Sequence, residues 1–456
     1  MFLPLQRFLE REHARALLLL GIAVRVLTYF FLSPENNDSH AEVVRFIVDN
    51  GRLPSILETT EAQHPPLYYV LAAPLWAWSG SLKVVQLLSL ACSIATLIVL
   101  YRLIYREGLL EGAQARLWSF CIACFLPQFV MFSLYVSNDT LTCLMGALAV
   151  WQTYRYICSP NTKQLVLLAA LVGVGMLIKF IILAFIPVLF LLVLWVPRSR
   201  SAWRAAGRAC AFLAIALTLG SYKFVDNYLS VSDAFANTMD DPRWDLSSQK
   251  QSYRGIGSYL DVNIVHLLES PTVSLATDGS YPLLLYGSFW YQHIPESNWR
   301  GNLNRRLRYL GPMIYLVALV PTAFFFAGLA ALARGFPALI RRFDGNQPAD
   351  QRLLTVYVAV VTLLTLLAMM VLAMNKYHVW SIMQARFLFP VLFGGLGAFS
   401  TGVATFSGSR LPAVILDSSM YLLVGLFGLY FASEIGLRLL QMNPAMKTLI
   451  ESLIPG

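Results

Sequence analysis

Two acidic side chains, Glu35 and Asp38, directly follow the first long apolar run, and His40 lies two residues beyond Asp38. His64 precedes a Pro-Pro pair and Tyr68, Asn138 and Asp139 adjoin another apolar run, and Gln384 and Arg386 stand at the start of a later one. A carboxylate can take a proton from a hydroxyl, and two that converge can hold a divalent cation through oxygen. A guanidinium offers a two-pronged match to phosphate oxygens. Lys179, set between GVGMLI and FIILAF, is costly there unless it meets an anion or reaches the surface. Each has a plainer alternative. Asp38 or Ser39 suits the N-cap of the segment that follows, and Asp139 suits the cap of a helix over 139–157. Arg386 is also an ordinary interfacial arginine, Lys179 a snorkelling lysine, and Lys376 beside His378 a solvated loop residue.

These groups are set in a chain of 456 residues that is 57% apolar and 13% charged, with mean hydropathy +0.61. A soluble domain carries about a quarter charged residues, so the composition argues against a disordered chain, a disulfide scaffold and a soluble enzyme. The net charge of +9, from 34 basic against 25 acidic residues, fits basic cytoplasmic loops better than nucleic-acid binding. The six cysteines lie in or beside apolar runs, and the Cys121–Cys124 pair has no second pair or nearby histidine, so all read as packing residues. The first apolar run reads as a membrane helix rather than a cleavable signal.

The expected fold class is an all-α polytopic membrane protein with about eleven transmembrane helices. The apolar segments are 14–32, 82–104, 116–135, 139–157, 164–178, 180–197, 204–223, 309–332, 353–374, 386–406 and 411–435, the fifth and sixth read as a tight hairpin. With the N-terminus in the cytoplasm, the short cytoplasmic loops collect the arginines, including Arg102, Arg106, Arg155, Arg198, Arg334, Arg341 and Arg352. Two long loops, about 33–81 and 224–308, then face outward and carry most of the remaining polar chemistry. This divides the chain into an N-terminal transmembrane core, 1–223, an extracytoplasmic loop region, 224–308, and C-terminal transmembrane helices, 309–456.

Residues 40–50 predict a short amphipathic surface helix closed by Gly51. His64-Pro65-Pro66-Leu67-Tyr68-Tyr69 then starts an apolar stretch, to about Trp78, too short to span; it reads as a helix or re-entrant segment in the outer leaflet. Arg25, inside the first span, reads either as the partner of a distant acid or as a cavity-lining residue.

An acidic residue after the first span, a helix ending Gly51-Arg52-Leu53-Pro54, and then HPPLYY together resemble the GT-C superfamily of membrane glycosyltransferases. The nearest branch holds protein O-mannosyltransferases and lipid A aminoarabinose transferases. The resemblance continues through Pro127-Gln128, Tyr135-Val136-Ser137-Asn138-Asp139 and Gln384-Ala385-Arg386-Phe387-Leu388-Phe389-Pro390, and these blocks together cover most of the chain. It departs in the first loop, where the family's frequent Asp-Glu falls on Asn36 and Asn37, flanked by Glu35 and Asp38.

The resemblance implies transfer of a sugar from a polyprenyl-phosphate carrier to a lipid, glycan or protein acceptor at the outer face, with inversion. It implies Asp38 as general base, with Glu35 as the other first-loop acid and Asp139 as the second acid. Arg386, Lys179 and Lys376 would hold the leaving phosphate; His40, His64, Tyr68, Asn138, Gln384, Trp290 and His293 would line the substrate site. Asp38 and Asp139 could share a divalent cation, Mg or Mn, since some members need a metal and others do not. The expected location is a bacterial inner membrane, with the active site in the periplasm and membrane lipids around it. Arg305, Arg306 and Arg308 suit lipid phosphates or plain solvation. Two other classes compete. One is a flippase or transporter of lipid-linked saccharide, kept open by Arg25 and Lys179; the other is a polysaccharide polymerase or ligase, suggested by the long loop 224–308.

Overall fold

A computed structural model describes residues 2–34, 39–196, 201–240, 252–291 and 309–442. The described residues form helices without a β-strand. In chain order these are α1 (Phe2–Phe31), α2 (His40–Asn50), α3 (Leu67–Ser79), α4 (Leu82–Tyr101), α5 (Ala113–Phe125), α6 (Pro127–Met131), α7 (Asp139–Cys158), α8 (Thr162–Met176) and α9 (Phe185–Trp195). They continue with α10 (Ala202–Gly220), α11 (Tyr222–Val231), α12 (Gly257–Leu260), α13 (Val265–Glu269), α14 (Tyr281–Trp290), α15 (Leu310–Arg342), α16 (Pro348–Tyr377), α17 (Leu392–Thr405) and α18 (Arg410–Met442).

Every apolar segment read from the sequence falls on helix, but they are not equivalent. Seven helical stretches are long and apolar enough to cross a membrane, and an eighth is formed if α5 and the bent Pro127–Leu134 stretch count as one. The helices at 162–176 and 180–195 are apolar but shorter, and α7 is outside that set. The protein is thus an all-α polytopic membrane protein, while the count of eleven spans goes beyond what the helix lengths establish.

The expected hairpin at 164–197 takes a different form. α8 stops at Met176, a turn and a 3-10 segment (Phe180–Ala184) follow, and α9 resumes at Phe185. α8 and α9 each pack mainly against α10. The broken backbone is held from outside: Leu67 N–H donates to Leu177 O at 2.9 Å, and Asn138 Nδ2 donates to Ile178 O at 3.2 Å. Non-helical backbone at membrane depth persists where protein groups satisfy it in this way.

A second break explains Arg25. Pro127 has no N–H, so the carbonyl of Ala123, four residues earlier, loses its helical donor. The helix bends by 46° there. Arg25 is fully buried and supplies the missing donors, with Nη2 to Ala123 O at 3.1 Å and Nη1 to Cys124 O at 2.9 Å. Its Nε donates to Ser93 Oγ at 2.9 Å and Nη1 also reaches Gly21 O at 3.0 Å. The bonds described for Arg25 therefore tie α1 to α4 and α5 through carbonyls and a hydroxyl rather than to an acid.

The predicted surface helix is present as α2, buried along His40, Ala41, Val43 and Val44. Gly51 ends it at φ 65°, with its N–H on Ile47 O at 2.9 Å. Ser39 occupies the N-cap position at φ 56° but makes no side-chain cap bond, and Asp38 lies outside the described residues. In the loop after α2, Arg52 grips both carboxylate oxygens of Glu58 at 2.8 and 2.5 Å and draws its pKa down to about 2. α3 packs on α2 and α4 without spanning, as its length predicts.

Glycines set the closest helix contacts, as is common where small residues let backbones approach in membranes. A Cβ on Gly146 of α7 would overlap the carbonyl of Pro390, and one on Gly328 of α15 would overlap that of Ala398 in α17. Gly425 in α18 faces open space. Gly146→Ala and Gly328→Ala should each lower stability by about 1–3 kcal/mol through overpacking, whereas Gly425→Ala should be neutral or better. Thermal unfolding of the purified protein in detergent checks this; equal behaviour of the three variants would contradict the packing described.

Candidate active site

Three segments far apart in sequence meet at Asp139. It is the first residue of α7 and 4% exposed. Lys179, 5% exposed, comes from the break between α8 and α9 and places Nζ on Asp139 Oδ1. Arg386, in the 3-10 segment Ala385–Val391, brings Nη1 to 3.7 Å from Oδ2. The close approach of Pro390 to Gly146 holds that segment against α7.

Aromatic rings shape the pair of cations. Lys179 Nζ lies 4.8 Å from the centre of the Phe387 ring, and Arg386 Cζ lies 4.9 Å from the same ring and 5.4 Å from that of Phe132. Such faces attract cations as their water is stripped away. Two cations thus converge in a largely dry setting, where electrostatic attraction to an anion is strong.

Asp139 is therefore engaged by cations rather than capping its helix; its own N–H takes Ser137 Oγ at 3.3 Å. The snorkelling alternative for Lys179 fails for the same reason. Asn138 is fully buried and supports the 177–179 turn. Lys376 pairs with Asp240 at 3.0 Å and Tyr377 Oη at 2.8 Å, and is exposed. Trp290 is buried with Nε1 on Thr322 Oγ1 at 3.0 Å, which commits it to packing rather than to stacking on a sugar. Tyr68 is buried edge-on to Tyr69, and Gln384 is nearly buried just ahead of Arg386. Glu35, Asp38 and His293, with Arg305, Arg306 and Arg308, lie outside the described residues.

The two predicted histidines do come together. His40 Nδ1 is 2.7 Å from Tyr69 Oη, and the His40 and His64 rings stack at 5.6 Å. His64 Nε2 is 3.0 Å from Glu61 Oε2. Glu61 and Tyr69 were not singled out from the sequence. The Glu-x-x-His spacing of Glu61 and His64 was the available signal, since i and i+3 share a face of a 3-10 turn. A cleft beside this cluster is lined by Val43, Leu53, His64, Tyr69, Lys223 and Asp226. The region after α10 also reaches the first loop, with Thr238 N–H on Gln63 Oε1 at 3.1 Å.

Removing Asp139 alone takes the carboxylate away from buried Lys179. Asp139→Asn should cost about 3–5 kcal/mol of stability, as breaking a buried ion pair does. Adding Lys179→Met to it should restore part of that loss, because the stranded charge is gone. A double-mutant cycle by thermal or denaturant unfolding measures the coupling, and strictly additive losses would show that the two residues do not share an ion pair.

The family model described as dolichyl-phosphate-mannose-protein mannosyltransferase matches residues 63–222, from just before the His-Pro-Pro turn to the start of α11. A search of curated proteins gives no match. Among solved structures, the chain is similar to ArnT from Cupriavidus metallidurans bound to undecaprenyl phosphate, at 14% identity and TM-score 0.39, covering 85% of this chain and 77% of that one. It is also similar to the apo oligosaccharyltransferase of Archaeoglobus fulgidus, at 12% identity and TM-score 0.46, covering 92% of this chain and 54% of that one. The family model thus supports, over residues 63–222, the resemblance read from the sequence blocks: that stretch is similar to the dolichyl-phosphate-mannose-protein mannosyltransferases.

Proposed function

We propose that this protein transfers a sugar from a polyprenyl-phosphate-linked donor to an acceptor hydroxyl or amine at the extracytoplasmic face of the membrane. The observation that carries this reading is the buried cluster in which Lys179 and Arg386, from separate segments, converge on Asp139. The similarity of residues 63–222 to dolichyl-phosphate-mannose-protein mannosyltransferases supports the donor class. The distribution of basic loop residues supports an extracytoplasmic site, and we take the membrane to be a bacterial inner membrane.

In this mechanism the bond between the anomeric carbon and the phosphate oxygen breaks as the acceptor atom bonds to that carbon. The acceptor's proton goes to Asp38, and the electron pair leaves with the phosphate. Arg386 and Lys179 neutralise the charge growing on that phosphate, which is where fixed charges accelerate reaction most. Asp139 fixes the positions of both cations and is a positioning residue. A single displacement of this kind inverts the anomeric centre. Thr238 bonds to Gln63 of the first loop and Asp240 to Lys376, which supports a place for the region 224–308 on the acceptor side.

Membranes containing the protein, given radiolabelled polyprenyl-phosphate sugars, should move label to an acceptor. Asp38→Asn at matched expression should reduce the rate by roughly 10²–10⁴-fold, the usual contribution of a general base. Full activity in Asp38→Asn with loss in Glu35→Gln would move the base to Glu35. Absence of transfer from every donor, with lipid-linked sugar still crossing the bilayer, would replace the glycosyltransferase reading by a flippase.

A further inference from the structure

Outside the phosphate cluster, His40, Glu61 and His64 form the one group of three metal-ligating side chains among the described residues, with one donor atom from each all within 4.8 Å of one another. We propose that they bind a divalent transition-metal ion of the zinc class, which clamps the start of α2 to the turn before the Pro-Pro pair.

The donors come from two separate pieces of chain that the fold brings together. His40 opens α2, and Glu61 lies in, and His64 directly follows, the 3-10 turn Thr60–Gln63, whose spacing puts both on one side. Glu61 Oε2 and His64 Nε2 are already 3.0 Å apart. Ligands held at 2.0–2.1 Å in a tetrahedron lie about 3.3 Å from each other, so that pair is in place and His40, within 4.8 Å of both, needs to close by up to about 1.5 Å. Its ring is oriented by the buried Tyr69, whose hydroxyl meets Nδ1 at 2.7 Å. A hydrogen bond at one imidazole nitrogen fixes the ring and makes the other nitrogen the donor, the usual outer support of a metal-binding histidine.

The donor chemistry selects the ion. Two imidazoles and one carboxylate suit zinc, cobalt or nickel, whereas magnesium and calcium prefer oxygen alone. Three protein ligands leave a tetrahedral ion one open position, and the neighbouring cleft lined by His64, Tyr69, Lys223 and Asp226 gives solvent a path to it. An ion pair between Glu61 and His64 is the simpler arrangement, but it does not require the second imidazole stacked beside His64. Asp139 is a poorer ligand, because its oxygens face Lys179 and Arg386. The site does not depend on the transfer reaction, although an ion here would steady the chain two residues beyond Asp38.

The test is binding, read without any transfer assay. Purified full-length protein is stripped with chelator, exchanged into metal-free buffer and titrated with zinc or cobalt. Elemental analysis should give one ion per chain, cobalt should produce visible bands of a tetrahedral site, and zinc should raise the unfolding temperature. Glu61→Gln should abolish the cobalt bands. Tyr69→Phe keeps the ring and should weaken affinity by roughly 10–100-fold, the effect of losing outer-shell support. Both variants should remain monodisperse, and Asp38→Asn should bind metal as wild type does. Failure of wild type to bind, unchanged binding in Glu61→Gln, or loss of metal in Asp38→Asn with retention in Glu61→Gln would overturn the assignment.

Discussion

The arrangement depends on one buried carboxylate. Asp139 has cations on both of its oxygens in surroundings where water is scarce, and a charge placed there without partners would be intolerable. Satisfying it requires three separate pieces of chain to arrive together. α8 must stop early so that Lys179 can turn inward, and Asn138 must catch the freed carbonyl of Ile178. The segment carrying Arg386 must also press against α7, which only a glycine at position 146 permits. Chemistry and folding are thus linked through the same ion pairs.

The same logic recurs deeper in the molecule. Pro127 breaks a helix and frees a carbonyl, and Arg25 repairs the deficit from another helix. Both irregular sites pair a helix break with a long cationic side chain. One uses up its donors on backbone and a serine, which makes it structural. The other gathers two cations beside aromatic rings, the arrangement that the proposed phosphate seat uses.

Much of this was legible in the sequence because membrane helices and surface helices write clear patterns. α2, its glycine stop and the short α3 follow from local spacing alone. Asp139, Lys179 and Arg386 were each identifiable as unusual charges beside apolar runs. Their mutual contact was not, because residues forty and more positions apart leave no periodic trace of their meeting. Arg25 stayed ambiguous for the same reason: carbonyl acceptors have no residue type to read. Trp290 shows a related limit, since a sequence does not reveal that its indole is buried and bonded to Thr322. The Glu61–His64 spacing was visible but too short to weigh without His40 folded beside it.

The central claim is that the Asp139 cluster is a seat for the donor phosphate. The most direct measurement is equilibrium binding of a non-transferable polyprenyl phosphate to purified wild type and to Arg386→Gln in lipid nanodiscs, with unfolding temperature recorded for each. Loss of one charged hydrogen-bonding partner should weaken binding by roughly tenfold or more, since such bonds contribute about 1.5–3 kcal/mol, while the variant stays folded. Equal affinity in a folded Arg386→Gln protein would contradict the account and leave Arg386 as a structural partner of Asp139.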